Sequence, residues 1–192
     1  MIYEEETETI HYINGYPRIK GDKMDLAKFW RVIETVINEL EDSEHCHFGY
    51  GLYGWLITLS EEEVLIFTHI LRELRNKART QDIWEAANII IDGCSDQKFT
   101  DFLNWIISWG ENAYKEILKN PDNLVYITYE RKVTDEYIVT YTDVIDVVAE
   151  QVYREMTGEE IPNEKKKKSS KKFKQNPRFP KLWAKFKEDP EA

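Results

Sequence analysis

Trp84 to Gly110 reads W-E-A-A-N-I-I-I-D-G-C-S-D-Q-K-F-T-D-F-L-N-W-I-I-S-W-G and holds three of the chain's six tryptophans. Ile83, Ala86, Ala87, Ile90 and Ile91 recur at three and four residues, which predicts a short helix from Ile83 to Asp92 with one buried face. Gly93 is its stop, because glycine takes the left-handed conformation at little cost. Ser95 or Asp96 then caps a second helix. In that helix Phe99, Phe102, Leu103, Ile106 and Gly110 form one stripe, and Trp105 and Trp109 form another. A helix apolar over that much of its circumference is covered on most sides. It is expected to be the central helix of the domain, running on to about Leu118 before Asn120-Pro121-Asp122 breaks it.

Working outward, Asp25 is a good N-cap for a helix carrying Leu26, Phe29, Trp30, Ile33, Val36, Ile37 and Leu40. Phe29 and Trp30 are read as core anchors. Ser60 and Glu63 form a capping box for a helix from Ser60 to Arg79, with Val64, Phe67, Leu71, Leu74 and Ala78 inward. Glu41 to Trp55 interleaves glycines with aromatics and reads as an irregular loop. Leu124–Glu130 and Tyr137–Tyr141 are rich in Val, Ile, Thr and Tyr and read as two antiparallel strands. A last helix follows Asp143, with Gly158 as its stop. Ile2 to Ile13 reads as an edge strand or extended arm, and Asn14-Gly15-Tyr16-Pro17 as a turn. The expected fold is α+β and predominantly α-helical: four to five helices around a central Trp-rich helix, with a small antiparallel β element. The expected organisation is an N-terminal arm (1–23), a helical domain (24–162) and a basic tail with an aromatic tip (163–192).

One set of residues carries a resemblance: Phe29 and Trp30; Trp84, Ala86 and Ala87; Gly93, Cys94, Ser95, Asp96, Phe99, Phe102, Trp105, Ile107 and Gly110; and Pro121, Asp122 and Leu124. Over roughly Met24 to Gly158 the chain resembles the bacterial domain of unknown function family 4240. The G-C-S-D block is its most specific part. The family commonly has a second acid after S-D and an arginine after the second phenylalanine; here Gln97 and Leu103 stand in those places. The resemblance implies a fold and a compartment and leaves the activity open.

Of the 26 Lys+Arg and 36 Asp+Glu residues, 11 and 4 fall from Glu164 onward, leaving 15 and 32 before it. The tail therefore carries +7 and the body −17. An acidic body repels nucleic acid and anionic membrane, so polyanion binding would have to come from the tail. No apolar run approaches the roughly 20 residues of a bilayer span. Met1 to Ile10 lacks the basic-then-apolar signature of a signal peptide. A cytoplasmic protein with reduced thiols is expected.

Two sets of residues are candidates for chemistry. Cys94 and Asp96 are the candidate catalytic pair, because a thiol just before a helix start feels the positive end of the helix dipole, which favours thiolate. A base would have to come from His45, His47 or His69 through folding. The alternative is an inter-helix turn in which glycine stops, cysteine packs and serine or aspartate caps. His45 and His47 are candidate metal ligands that share a side in an extended chain. Zinc would need two more ligands, and no standard zinc spacing is present. There is no phosphate loop, no dinucleotide fingerprint, no nucleophile elbow and no H-E-x-x-H, and no cofactor is implied.

After Pro162, Lys165, Lys166, Lys167, Lys168, Lys171 and Lys172 stand within eight residues and repel one another, so that run should be disordered alone. Phe179, Leu182, Trp183 and Phe186 then have amphipathic helical spacing. They either dock back on the body or anchor a partner. The lysines with Phe179 and Trp183 are the expected partner-binding residues. The expected function is a non-enzymatic interaction module whose tail meets an acidic protein surface or, through the tail alone, a nucleic acid. The alternative is a small thiol-dependent or hydrolase-like enzyme at Cys94 and Asp96.

Overall fold

The computed structural model describes residues 11–13, 16–18, 23–41, 48–91, 93–130, 144–162 and 178–188. Two strands, β1 (His11–Ile13) and β2 (Tyr16–Arg18), pair antiparallel with Ile13 opposite Tyr16. Tyr16 and Pro17, expected in a turn, thus belong to the second strand. The remaining described elements are helical: α1 (Leu26–Glu41), α2 (Phe48–Leu56), α3 (Glu61–Ala78), α4 (Gln81–Ile91), α5 (Asp96–Ile107) and α6 (Gly110–Lys119). A 3-10 turn (Pro121–Asn123), α7 (Leu124–Glu130), α8 (Val144–Thr157) and α9 (Pro180–Trp183) follow, with a wider π-type turn (Ala184–Glu188) extending α9.

The caps read from the sequence form. The Lys28 backbone N–H donates to Asp25 Oδ1 at 2.8 Å, starting α1. Ser60 and Glu63 close a reciprocal capping box on α3. Ser95 Oγ accepts from the Lys98 N–H at 3.2 Å, so Ser95 and not Asp96 caps α5. Gly93 has φ +91°, as its role as a stop requires.

Three further expectations are corrected. First, the central helix is two helices. α5 ends at Ile107, and Gly110 at φ +87° turns the chain into α6. A β-carbon at Gly110 would also lie 3.4 Å from Glu34 Cγ. Gly110→Ala should therefore destabilise the protein by about 1–2 kcal/mol in urea unfolding, the cost of a side chain in the left-handed region.

Second, the glycine-aromatic segment is not all loop, because Phe48–Leu56 is helix α2. Its glycines permit close approach: a β-carbon at Gly51 would meet Val36 Cγ1 of α1 at 3.1 Å. Phe48, Leu52, Trp55 and Leu56 are buried, and α2 packs between α1 and α8.

Third, the β element expected over 124–141 is overturned where it can be read. Leu124–Glu130 is helical, and Tyr137–Tyr141 lies outside the described residues. Asn120 caps the Pro121 turn, which feeds directly into α7, so the chain enters Leu124 already coiled. Pro121, Leu124 and Val125 are buried at helical spacing. Burial on that face outweighs strand propensity, which is context-dependent. The described chain is predominantly helical, with the three-residue hairpin as its strand pairing.

The core runs through α1, α3, α4, α5 and α8. Phe29 and Phe67 stack with centroids 4.6 Å apart, and Trp30 meets Tyr114 at 5.4 Å. Trp84 meets Phe99 edge-on at 4.6 Å, tying α4 to α5 across the Gly93 turn. Phe29, Phe99, Phe102 and Leu103 are fully buried. Leu103 therefore serves as core. Gln97, six residues earlier, is exposed and donates to Asp101 Oδ1 at 2.9 Å. Gln97 and Leu103 thus face different surroundings.

Candidate functional site

The Gly93–Asp96 turn joins α4 to α5. The Cys94 N–H donates to Asn88 Oδ1 at 3.3 Å, and Asn88 Nδ2 donates to the Trp84 carbonyl at 2.8 Å. The turn is thus tied back onto the helix it terminates. The Cys94 thiol is buried and points toward the Ser95 carbonyl, with Sγ 3.6 Å from its oxygen. Burial pushes the thiol up to about 12; Lys98 pulls the other way, while Asp101 and Asp96 add to the rise. Asp96 is exposed at the first turn of α5. His69 is exposed on α3 and is not among the charges that shift the thiol. His45 and His47 lie outside the described residues, and among those described no three His, Cys, Asp or Glu side chains are grouped to hold a metal.

A polar seam crosses the helices beside this turn. Arg75 of α3 pairs with Asp146 of α8, and Asn104 of α5 donates to the same carboxylate at 3.3 Å. Arg79 donates to Thr100 Oγ1 at 3.1 Å and lies over the Phe99 ring at 5.2 Å. These contacts lock α3, α5 and α8 together in a structural role.

The C-terminal segment is the more informative region. Phe179 and Leu182 are buried, and Trp183 and Phe186 pack half-buried against the core. The tip therefore docks on the chain's own body, against α4, the 3-10 turn and α7. α9 begins Phe179-Pro180 and has no side-chain cap of its own. Its free N–H groups go instead to Asp122, 6 % exposed, in the 3-10 turn. Asp122 Oδ1 accepts from the Leu182 N–H at 3.0 Å and the Lys181 N–H at 3.1 Å. A carboxylate at a helix N-terminus satisfies orphan donors and complements the dipole. Arg178 pairs with Asp82 at 2.9 Å and with the buried Glu85 at 3.5 Å, both on α4. Lys181 Nζ donates to Tyr126 Oη at 2.6 Å.

Asp122, Asp82, Glu85 and Tyr126 were not legible as a site. The available signal was the missing cap: a short helix opening Phe-Pro must find an acceptor elsewhere in the molecule.

At the other end of the basic run, Ile161 is buried and Arg72 Nη1 donates to the Pro162 carbonyl at 3.1 Å. Lys165 to Lys172 themselves lie outside the described residues. The described residues nearest the run on either side are thus fastened to the body: Pro162 on α3 and Arg178 on α4.

Fold and surface define a helical domain with a C-terminal segment seated in a charged, partly apolar groove. Among the described residues no helix is long and apolar enough to cross a membrane. The chain belongs to the family described as protein of unknown function (DUF4240), matched over residues 24–155. No match was found among curated proteins or among solved structures.

Proposed function

We propose that the chain is a non-enzymatic interaction module that recognises an acidic protein surface through Lys165, Lys166, Lys167, Lys168, Lys171 and Lys172. The observation that carries this is the docking of Phe179 and Leu182. It anchors the chain on both sides of the lysine run, at Pro162 and again at Arg178. A run held at both ends loses less conformational freedom on binding than a free tail. The −17 charge of the rest of the chain favours a compact partner that meets only the lysines over a long polyanion that would also meet the acidic residues. Phe179 and Trp183 then serve the site indirectly, by anchoring the C-terminal side of the run to the body.

The thiol-dependent alternative at Cys94 and Asp96 has less support. The thiol is buried, and burial favours its neutral form.

The test uses the full chain with all six lysines changed to glutamine. A glutamate-rich peptide should bind the wild type and lose about tenfold or more in affinity between 50 and 200 mM salt, as screening of several charges requires. The six-lysine variant should bind it at least about tenfold more weakly. Salt-independent binding, or equal binding by the variant, would count against the reading. Tighter binding of a single-stranded oligonucleotide than of the acidic peptide would move the partner class to nucleic acid.

A further inference from the structure

We propose that the groove formed by α4, the 3-10 turn and α7 is a receptor for the first turn of a short, proline-initiated aromatic helix. In this chain the groove is filled in cis by residues 178–188. A partner segment of the same chemistry would take it in trans.

Three observations support this. Asp122 is a buried carboxylate whose oxygens accept backbone N–H groups from Lys181 and Leu182. That is recognition of a helix N-terminus, which depends on backbone geometry and little on side-chain identity. Around it, Phe179 and Leu182 fill the apolar part of the groove, while Asp82 and Glu85 take the cation that precedes the helix. The ligand is therefore specified by position: a basic residue, an aromatic, proline, any residue with an N–H, then a branched aliphatic.

The third observation concerns where receptor and ligand lie in the chain. Asp82, Glu85, Asp122 and Tyr126 all fall within the family match over 24–155, and the segment falls outside it. Fifteen residues, 163–177, separate the segment from Pro162. The groove thus lies within the matched region and its occupant outside it. The occupant's tether gives a local concentration that an outside competitor must overcome.

The experiment measures binding of a fluorescein-labelled synthetic peptide of residues 176–188 to the full-length chain by anisotropy. The wild type is compared with a full-length variant carrying Phe179→Asp and Leu182→Asp, which should empty the groove. The peptide should bind the emptied variant at least about tenfold more tightly than the wild type, where the tethered segment competes. Adding Asp122→Asn to the emptied variant should weaken the peptide about tenfold or more, because the charge-assisted bonds to the helix start are lost. Circular dichroism of each variant reports the fold. Absence of peptide binding by a folded, emptied variant would overturn the proposal, as would indifference to Asp122→Asn. So would loss of helical signal on emptying, because a segment the fold requires is not a ligand. A wild-type dimer that the emptied variant loses would support the receptor and identify a second copy as the source of the segment. The peptide lacks Lys165 to Lys172, so this result stands or falls separately from the lysine-run reading.

Discussion

In the folded protein, Cys94 should react with a small aromatic disulfide at least about a hundredfold more slowly than in denaturant at about pH 7.5. The measurement is made in a Cys46→Ser background, so that a single thiol reports. Two opposing effects decide the outcome. The start of α5 stabilises a nearby anion by about 0.3–1 kcal/mol, less than a factor of ten in thiolate. Burial works the other way and is larger, raising the thiol from 9.0 to about 12. That is about a thousandfold less thiolate at a given pH, before access is counted. A native rate matching the denatured rate would show an open, ionised thiol and would restore the reactive-cysteine reading. The same physics predicts that the native rate keeps climbing with pH well past the range in which an ordinary thiol is fully ionised.

Glu63→Ala should destabilise the domain by roughly 3 kcal/mol in urea unfolding at neutral pH, the low end for breaking a buried ion pair. Glu63 does two jobs. Its Oε2 accepts from the Ser60 N–H at 2.9 Å, completing the capping box of α3, and its Oε1 accepts from Lys28 Nζ at 2.7 Å. Lys28 is 3 % exposed and Glu63 keeps 22 % of its side-chain surface, hence the low end of the range. Removing the carboxylate takes away both the charged bond to the buried Lys28 ammonium and the capping bond to the Ser60 N–H.

The same residue sets a pH dependence. Burial alone would raise the Glu63 carboxyl, but hydrogen bonds from Lys28 and Ser60 hold it below its usual 4.5. A depressed carboxylate stabilises the fold above its unfolded pKa, and that contribution is lost as pH falls through the folded value. The stability difference between wild type and Glu63→Ala should therefore be constant above about pH 5 and shrink below 4.5. A difference that persists unchanged to pH 3 would show that packing, and not charge, carries the effect.

The helices of the core were legible because their signals are local. Asp25, Ser60 and Ser95 cap the helices that follow them, since a cap needs only the next three residues. Gly93 stops α4 because a single dihedral decides it. Phe29, Trp30, Phe67, Phe99 and Phe102 are buried where apolar spacing put them. The motifs at Trp84, Gly93–Asp96 and Pro121–Leu124 were sufficient to indicate the family, whose match covers residues 24–155.

Other features depended on what each segment packs against. The aromatic and β-branched run Leu124–Glu130 coils because a capped proline turn leads into it and the core accepts a helical face. Gly51 lies in a helix packed so closely on α1 that a β-carbon there would meet Val36 Cγ1 at 3.1 Å. The environment of Cys94 was likewise set at a distance: the dipole is visible from sequence, while desolvation comes from neighbours folded over the turn. The docking of the C-terminal segment rests on Asp122, about sixty residues away. The caps of α1, α3 and α5, the Gly93 stop and the buried stripes were thus determined by the sequence itself, because each involves residues within a turn or two. Burial, and the pairing of Asp122 with a helix it does not belong to, were decided by the tertiary structure. Each needs groups that the chain brings together only when folded.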